Sequence, residues 1–125
     1  MESIKEFHFV STHFSNESSE NRLAQLKALV AFADSLSLPT IFAGDLNFDP
    51  ESDEYKSLPS QWKDAGSVAG DTSATYAGEN GKRIDYVLYD SKEFELVEYK
   101  VLDLPYSDHY PVLVTLKLKT KPDPL

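Results

Sequence analysis

The stretch of residues 40–47 restricts the possible folds more than any other part of the sequence. It reads Thr-Ile-Phe-Ala-Gly-Asp-Leu-Asn, a short apolar run that ends in polar residues. Such a run is typical of a strand buried on both faces, so its polar end is expected at the rim of a core. If the backbone stays extended, Asp45 and Asn47 point the same way and present oxygens suited to a hard cation. The alternative is a strand followed by an ordinary Asx turn.

The segments before this stretch predict a β-α-β unit. Residues 4–12 have the composition of a strand, and residues 21–36 carry apolar side chains at helical spacing after serines that can cap a helix. Two strands joined by a crossover helix are expected to run parallel and to end at the same rim of the sheet. His13 and Asp45 should therefore be neighbours, although they lie far apart in the sequence.

The rest of the chain predicts a single domain, residues 1–125, of mixed α/β (α+β) class. An Asn-Gly pair at residues 80–81 favours a hairpin turn. Residues 52–58 read as one or two helical turns, and residues 59–70 as a surface connection anchored by Trp62. The further predicted strands are residues 72–77, 83–89, 94–102 and 112–119.

Composition excludes several classes of protein. The net charge of -9 argues against non-specific coating of nucleic acid, which depends on Lys and Arg at the phosphates. The sequence has no cysteine, so disulfides and thiolate metal sites are excluded. It shows neither an apolar run of membrane length nor the apolar region of a signal peptide, and it leaves the cellular location open.

Two further polar positions suggest chemistry. Asp85 precedes a strand, where it can pair with Arg83 or Lys82, or orient an imidazole. Asp108 and His109 lie side by side in a loop just before the last strand. A carboxylate that holds one imidazole nitrogen is the arrangement of general-base pairs, so Asp85 and His109 are candidate partners. His8 is interpreted as an ordinary strand residue.

Three other motif readings fail. Asp45, Asn47 and Asp49 imitate the start of a calcium loop, but Pro50 and Lys56 stand where its glycine and glutamate are required. Ser107 lies next to Asp108 and His109 without the Gly-x-Ser-x-Gly turn of a hydrolase. The sequence also has no glycine-rich phosphate loop.

Four short motifs together resemble the endonuclease/exonuclease/phosphatase superfamily, which includes deoxyribonuclease I-like nucleases, abasic-site endonucleases, neutral sphingomyelinases and inositol-polyphosphate phosphatases. The motifs are Thr12-His13-Phe14, Gly44-Asp45-Leu46-Asn47, Arg83-Ile84-Asp85-Tyr86 and Ser107-Asp108-His109-Tyr110-Pro111. They occur in the family's order over most of the chain, and the short loops are most similar to small bacterial members.

The resemblance implies a phosphoester hydrolase that depends on Mg²⁺ or Mn²⁺. His109, oriented by Asp85, would act as general base or phosphate ligand, and Asp45 would orient or deprotonate the attacking water. Asn47 would donate to the phosphoryl oxygens, and His13 would stabilise the developing charge. The implied metal-binding residues are Asp108, Asp45 and Asn47. A phosphoryl-transfer transition state needs cations and donors, which agrees with this set.

The sequence departs from the family in one respect. Family members carry a preceding half with an Asn motif and a metal-binding Glu, so this chain resembles the C-terminal half of a two-sheet α/β sandwich of the deoxyribonuclease I-like type. A missing N-terminal half or a homo-oligomer is then expected to cover an exposed sheet face at Phe7 or Val10, Ile41 or Phe42, and Val87. In a homodimer the last strand would be exchanged between copies.

Two functions from different classes follow. The first is a phosphodiesterase, nuclease or phosphatase acting on a phosphate ester, of which this chain is a fragment or truncated member. The second is a non-catalytic binding or interaction module that keeps the fold and lacks the metal-binding Glu. The motifs do not identify the substrate, since loops outside them choose between nucleic acid, lipid headgroup and sugar phosphate.

Overall fold

A four-stranded mixed sheet lies at the centre of the structure, a computed structural model that describes residues 6–78 and 80–120. In chain order the elements are β1 (His8–His13), α1 (Ser19–Asp34), β2 (Thr40–Asp45), α2 (Asp53–Lys56), β3 (Trp62–Asp64), α3 (Ala65–Ala69), β4 (Asp85–Asp90), β5 (Phe94–Val101) and β6 (Val112–Leu118). The central sheet has the order β1-β2-β4-β3, and β5 pairs with β6 in a separate two-stranded sheet.

The predicted β-α-β unit is present, formed by β1, α1 and β2. Strands β1 and β2 are parallel neighbours, and their register brings His13 opposite Asp45. Helix α1 begins after Ser18, whose hydroxyl accepts a hydrogen bond from the Asn21 amide at 3.0 Å. This bond satisfies one of the free amides of the first helical turn. Leu26 and Ala33 on the inner side of α1 are buried against the sheet.

Strand β2 is buried on both faces, as its apolar composition predicts. Phe42 belongs to a cluster on the helix side of the sheet that also includes Leu26 and Leu88. Ile41 belongs to a second cluster on the opposite side, where residues of β5 and β6 pack against it. The helices therefore cover one face and the β5–β6 hairpin covers the other. This confirms the α/β class and the two-sheet sandwich architecture.

The expectation of an uncovered sheet face is wrong for its central positions. Ile41 is 7% exposed and Phe42 is 2% exposed, because the hairpin and the helices close over them. Strand β6 pairs with β5 of the same chain from Phe94 opposite Leu118 to Val101 opposite Val112. Within the single chain the β5–β6 hairpin thus covers most of the sheet. The exchange of β6 in a homodimer stays a prediction. The expectation is confirmed at Phe7, which lies just before β1 and is 48% exposed. Phe9 in β1 is also 60% exposed, and β1 is an edge strand that pairs with β2 among the described strands.

Two local predictions also need correction. Residues 59–70, expected to be a surface connection, contain β3 and α3, and Trp62 is buried as expected. Residues 72–77 do not form a strand, and Tyr76 instead makes single bridges to Lys82 and His109. The short strand β3 is stable here because it pairs with β4, a contact between distant segments that local periodicity cannot show. The start of the first predicted strand lies outside the described residues.

Among the described residues, no helix is both long enough and apolar enough to cross a membrane.

Gly44 allows β1 and β2 to lie close together at the end of the sheet that carries His13 and Asp45. A Cβ atom built on Gly44 would lie 1.7 Å from the Thr12 carbonyl oxygen, and the φ angle of Gly44 is +152°. Both the contact and the backbone conformation therefore require glycine. Gly70 also has a positive φ of +70°, but a Cβ there meets no atom within 4 Å.

We expect Gly44→Ala to lower the free energy of unfolding by about 2–4 kcal/mol, because the added methyl group forces the two strands apart. Gly70→Ala is the matched control, with backbone strain but no clash, and should cost only about 1 kcal/mol. Urea unfolding of both variants measures the difference. Equal losses for the two variants would contradict the role assigned to the Gly44–Thr12 contact.

Candidate active site

Three titratable residues form a row across the end of the central sheet. The strand register places His13 opposite Asp45, and Asp45 opposite Asp85. The His13 Nε2 atom lies 3.6 Å from Asp45 Oδ2. Each of these residues ends or begins a strand, so the row is fixed by backbone pairing rather than by loop conformation. Two carboxylates directly opposite each other repel, which makes this end of the sheet a place for positive charge.

His109 joins this row from the loop before β6. Its Nδ1 atom lies 2.8 Å from Asp85 Oδ2. A carboxylate oxygen that carries no proton can only accept a hydrogen bond. Nδ1 therefore carries the proton, and Nδ1–H donates a hydrogen bond to Asp85. The other ring nitrogen, Nε2, lies 3.7 Å from Asp45 Oδ2. Asp85 therefore orients the imidazole and leaves Nε2 directed towards Asp45.

Asp45 and Asn47 are linked by the Asx turn that the sequence left as an alternative. The Asn47 amide donates to Asp45 Oδ1 at 2.9 Å, and Asn47 has a left-handed φ of +54°, a conformation that asparagine tolerates well. The Asn47 side-chain nitrogen also donates to the Phe14 carbonyl oxygen at 2.7 Å. The turn does not remove these residues from the site, because both still line the same cleft.

The cleft has a volume of about 610 Å³ and collects most of the candidate residues. Those that line it are His13, Asp45, Asn47, Asp108 and His109. Asp85 completes the set through its contact with His109. Asp108 is exposed at the edge, where its carboxylate accepts a hydrogen bond from Ser107 Oγ at 3.3 Å. The six residues named from the sequence thus lie together, and their chemical roles remain predictions.

The charges around His109 raise its pKa above the ordinary value. Burial of the ring alone lowers the pKa of His109, but the hydrogen bond to Asp85 and the charges of Asp85, Asp45 and Asp108 outweigh it. The protonated imidazole is therefore stabilised in the folded chain. The same carboxylates would stabilise any other cation bound in this position.

A buried ion pair beside the site was not found from the sequence. Arg83 donates to both carboxylate oxygens of Asp64, at 3.0 and 2.6 Å, and both residues are buried. Tyr55 donates to the same carboxylate at 2.9 Å. The alternative for Asp85, a salt bridge to Arg83 or Lys82, is therefore wrong for Arg83, and the described ion pair of Asp85 is with His109. Because Arg83 is held by Asp64, Asp85 is left to pair with His109.

A second buried carboxylate was also missed. Glu54 is 3% exposed, and its oxygens accept from Ser19 Oγ at 2.7 Å and from Arg22 Nε at 2.9 Å. Burial raises the pKa of Glu54, but these hydrogen bonds and the Arg22 charge lower it by more, so Glu54 is held ionised. This group connects α1 to α2 along one wall of the cleft. The one sequence signal for this buried carboxylate is the position of Glu54 in the first turn of a short helix.

The donor atoms at the sheet end suit a hard divalent cation. Asp45, Asp85 and His109 each offer one ligand atom, and these atoms all lie within 4.8 Å of one another. Asp45 Oδ2 is 3.6 and 3.7 Å from two imidazole nitrogens, longer than hydrogen bonds, so it is available to a cation. Carboxylate oxygens are the ligands that Mg²⁺ and Mn²⁺ prefer. The residues present therefore fit such an ion.

Comparison with known proteins gives one family. The family model described as the Endonuclease/Exonuclease/phosphatase family matches residues 8–109. Comparison with curated protein sequences gave no match.

Solved structures of low sequence identity share the fold. An endonuclease/exonuclease/phosphatase from Bacteroides vulgatus has a TM-score of 0.77 and 22% identity, covering 89% of this chain and 50% of that one. The mannosyl-6-phosphatase of Bacteroides thetaiotaomicron has a TM-score of 0.70 and 21% identity, covering 87% and 50%. The catalytic domain of human nocturnin, with a bound sulfate anion, has a TM-score of 0.67 and 18% identity, covering 87% and 46%. The chain thus spans about half the length of these structures.

We expect Asp85→Asn to lower the pKa of His109, because it removes the carboxylate charge that counters burial of the ring and leaves at most a weaker hydrogen bond to a neutral amide oxygen. In the unmodified chain the raised pKa contributes stability below the unfolded value of about 6.5. That contribution is lost as the pH rises through the folded pKa. The variant should therefore lose most stability in mild acid, where His109 is protonated. NMR titration of the His109 ring measures the shift.

The control for this titration is Asp103→Asn, which removes an exposed carboxylate on the link between β5 and β6. It should leave the pKa of His109 unchanged. A His109 pKa that stays the same in Asp85→Asn would show that the 2.8 Å contact carries no charge interaction.

We expect Arg83→Met to lower the free energy of unfolding by about 3–5 kcal/mol, because it leaves the buried Asp64 carboxylate without its counter-charge. The neighbouring Lys82 is exposed, and Lys82→Met should change stability by no more than about 0.5 kcal/mol. Denaturant unfolding compares the two. A similar small loss in both variants would contradict the structural weight given to the buried pair.

Proposed function

The chain belongs to the Endonuclease/Exonuclease/phosphatase family, and we propose that it is the site-bearing half of a phosphoester hydrolase. The single observation that supports this proposal is the row of His13, Asp45 and Asp85 at the sheet end, joined by His109 at 2.8 Å from Asp85. These groups supply a base oriented by a carboxylate, a second carboxylate for water and a second imidazole at one end of the sheet. Phosphoester hydrolysis needs this combination.

His109 acts as general base or as a phosphate ligand in this proposal. Its Nδ1 proton is held by Asp85, so the free Nε2 is the atom that accepts a proton from water or donates one to a phosphoryl oxygen. When it acts as base, only the neutral ring is active. Because the pKa of His109 is raised, activity that uses this base should increase as the pH rises through that pKa.

The remaining residues position water and phosphate. Asp45 Oδ2, which faces both imidazoles, is placed to orient the attacking water or to take its proton. The water oxygen then bonds to phosphorus as the bond to the leaving oxygen breaks. Asn47 keeps one amide proton free after its bond to Phe14 and can donate it to a phosphoryl oxygen. His13 is 73% exposed at its side chain and is free to approach the developing charge.

A divalent cation completes the proposed site. Asp45 and Asp108, with the Asn47 amide oxygen, are the proposed ligands for Mg²⁺ or Mn²⁺, and Asp85 lies close enough to contribute. When bound, such an ion would supply Lewis-acid stabilisation of the charge on the phosphoryl group. The charge balance of the cleft favours this arrangement, because the carboxylates of its walls outnumber its cations. The walls carry five carboxylates (Asp45, Asp49, Asp53, Glu54 and Asp108) against two permanent cations, Arg22 and Lys82. A phosphate anion enters such a cleft only with added positive charge.

The names of the structural neighbours are consistent with a phosphate-ester substrate. One is a mannosyl-6-phosphatase, and another binds a sulfate anion, which resembles phosphate in shape and charge. These properties belong to proteins about twice as long as this chain. The substrate of the present site is therefore proposed only as a phosphate ester.

A non-catalytic binding module is the second candidate. It is supported by the lining of the cleft, where Arg22, Lys82 and the imidazoles can contact an anion without any proton transfer. A binding module would keep the cleft and bind phosphate or a cation without turnover. The two candidates differ in a single measurement, the release of product from a phosphate ester.

We expect the chain to release p-nitrophenol from bis(p-nitrophenyl) phosphate or p-nitrophenyl phosphate when Mg²⁺ or Mn²⁺ is added. His109→Ala should reduce kcat by at least about 100-fold, because it removes a group that transfers protons. The reaction is followed by absorbance during metal titration.

The matched control is His8→Ala, which removes a histidine of β1 that does not line the cleft. It should leave kcat unchanged. Folded protein with no metal-dependent turnover of either ester would support the binding module, and equal activity in His109→Ala and the unmodified chain would contradict the site assigned here.

A further inference from the structure

Thr75 lies between the two segments that carry Asp85 and His109. It is fully buried, with 0% exposure, although it belongs to neither a helix nor a strand. Its hydroxyl oxygen accepts two backbone hydrogen bonds, from the Ile84 and Asp85 amides, each at 3.0 Å. The start of β4 is therefore tied to this hydroxyl at the residue that orients the imidazole.

The backbone of the same residue holds the other segment. The Thr75 carbonyl oxygen accepts from the Tyr110 amide at 2.7 Å. Two residues further on, the Ala77 amide donates to the Asp108 carbonyl oxygen at 2.7 Å. These bonds enclose His109 on both sides in the sequence. Residues 75–77 thus lie between the start of β4 and the loop of His109, and Tyr76 makes a single β-bridge to His109.

The next side chain adds a packing contact to the imidazole. The Tyr76 ring lies against the His109 ring with centroids 5.0 Å apart and planes inclined by 55°. The Tyr76 ring in turn packs directly over Gly78, where a Cβ atom would lie 2.1 Å from the ring. The ring of His109 is therefore held by a hydrogen bond to Asp85 and by packing against Tyr76.

We propose that Thr75 is a positioning residue for the Asp85–His109 pair, acting through its hydroxyl on Asp85 and through its carbonyl on the loop that carries His109. The proposal rests on the proposed function for its catalytic consequence, and on the hydrogen bonds alone for its structural one. Valine has nearly the shape of threonine but has no oxygen to accept the hydrogen bonds from the Ile84 and Asp85 amides. Its presence frees the start of β4 and loosens the contact between Asp85 and His109.

The experiment compares Thr75→Val with Thr75→Ser, which keeps the hydroxyl and loses only the methyl group. The structural readout is the His109 Nδ1 proton resonance in the metal-free chain at fixed pH, which reports its hydrogen bond to Asp85 and needs no substrate. We expect this downfield resonance to be lost or broadened in Thr75→Val and kept in Thr75→Ser. The catalytic readout is kcat. We expect kcat to fall about 10–100-fold in Thr75→Val, with KM within about twofold, and to stay close to that of the unmodified chain in Thr75→Ser.

Each outcome decides the role of Thr75. A folded Thr75→Val variant with an unchanged resonance would overturn the proposal and leave Thr75 as a residue of the fold only. If Thr75→Val does not fold, Thr75→Ser decides, because loss of its resonance in a folded chain would assign the effect to the methyl group and contradict the proposal. If the unmodified chain shows no turnover, the proposed function fails and the resonance still tests Thr75.

Discussion

The opposition of Asp45 and Asp85 across neighbouring strands is the constraint around which the site is organised. Antiparallel pairing of β2 and β4 puts these two carboxylates side by side, and like charges in that position destabilise a sheet. His109 offsets this repulsion from the loop, because its Nδ1–H donates a hydrogen bond to Asp85 and its Nε2 lies near Asp45. The strand pairing thus makes this end of the sheet negatively charged, and either a protonated imidazole or a bound cation can reduce the repulsion.

The rest of the architecture serves to hold these strand ends in place. Strand β2 reaches the site as a rigid element because helices cover Phe42 and the β5–β6 hairpin covers Ile41. Gly44 allows β1 to come close enough for His13 to lie beside Asp45. The buried Arg83–Asp64 pair then keeps the Arg83 guanidinium from pairing with Asp85. A site built on strand ends and fixed by buried groups is more precise than one built on loops alone.

The sequence predicted the elements whose signals are local. The apolar run of β2, the helical spacing of α1 and the parallel pairing they imply could all be read from neighbouring residues, and this placed His13 beside Asp45. The Endonuclease/Exonuclease/phosphatase motifs identified the family, which the family model confirms. The partner of Arg83 could not be read in this way, because Asp64 is 19 residues away in a segment without periodicity. Strand β3 was missed for the same reason, since its stability comes from pairing with β4.

The expectation of an uncovered sheet face failed at Ile41 and Phe42, and the reason is physical. It treated the chain as half of a sandwich whose second sheet belongs to another half, although an apolar strand can be covered by any apolar surface within reach. The hairpin of β5 and β6 carries Leu96, Leu116 and Leu118 towards Ile41 and provides that surface. Coverage stops at β1, where Phe9 stays exposed on an edge strand. The central sheet and the row of site residues therefore depend on contacts within this chain, and β1 forms the edge of the sheet among the described strands.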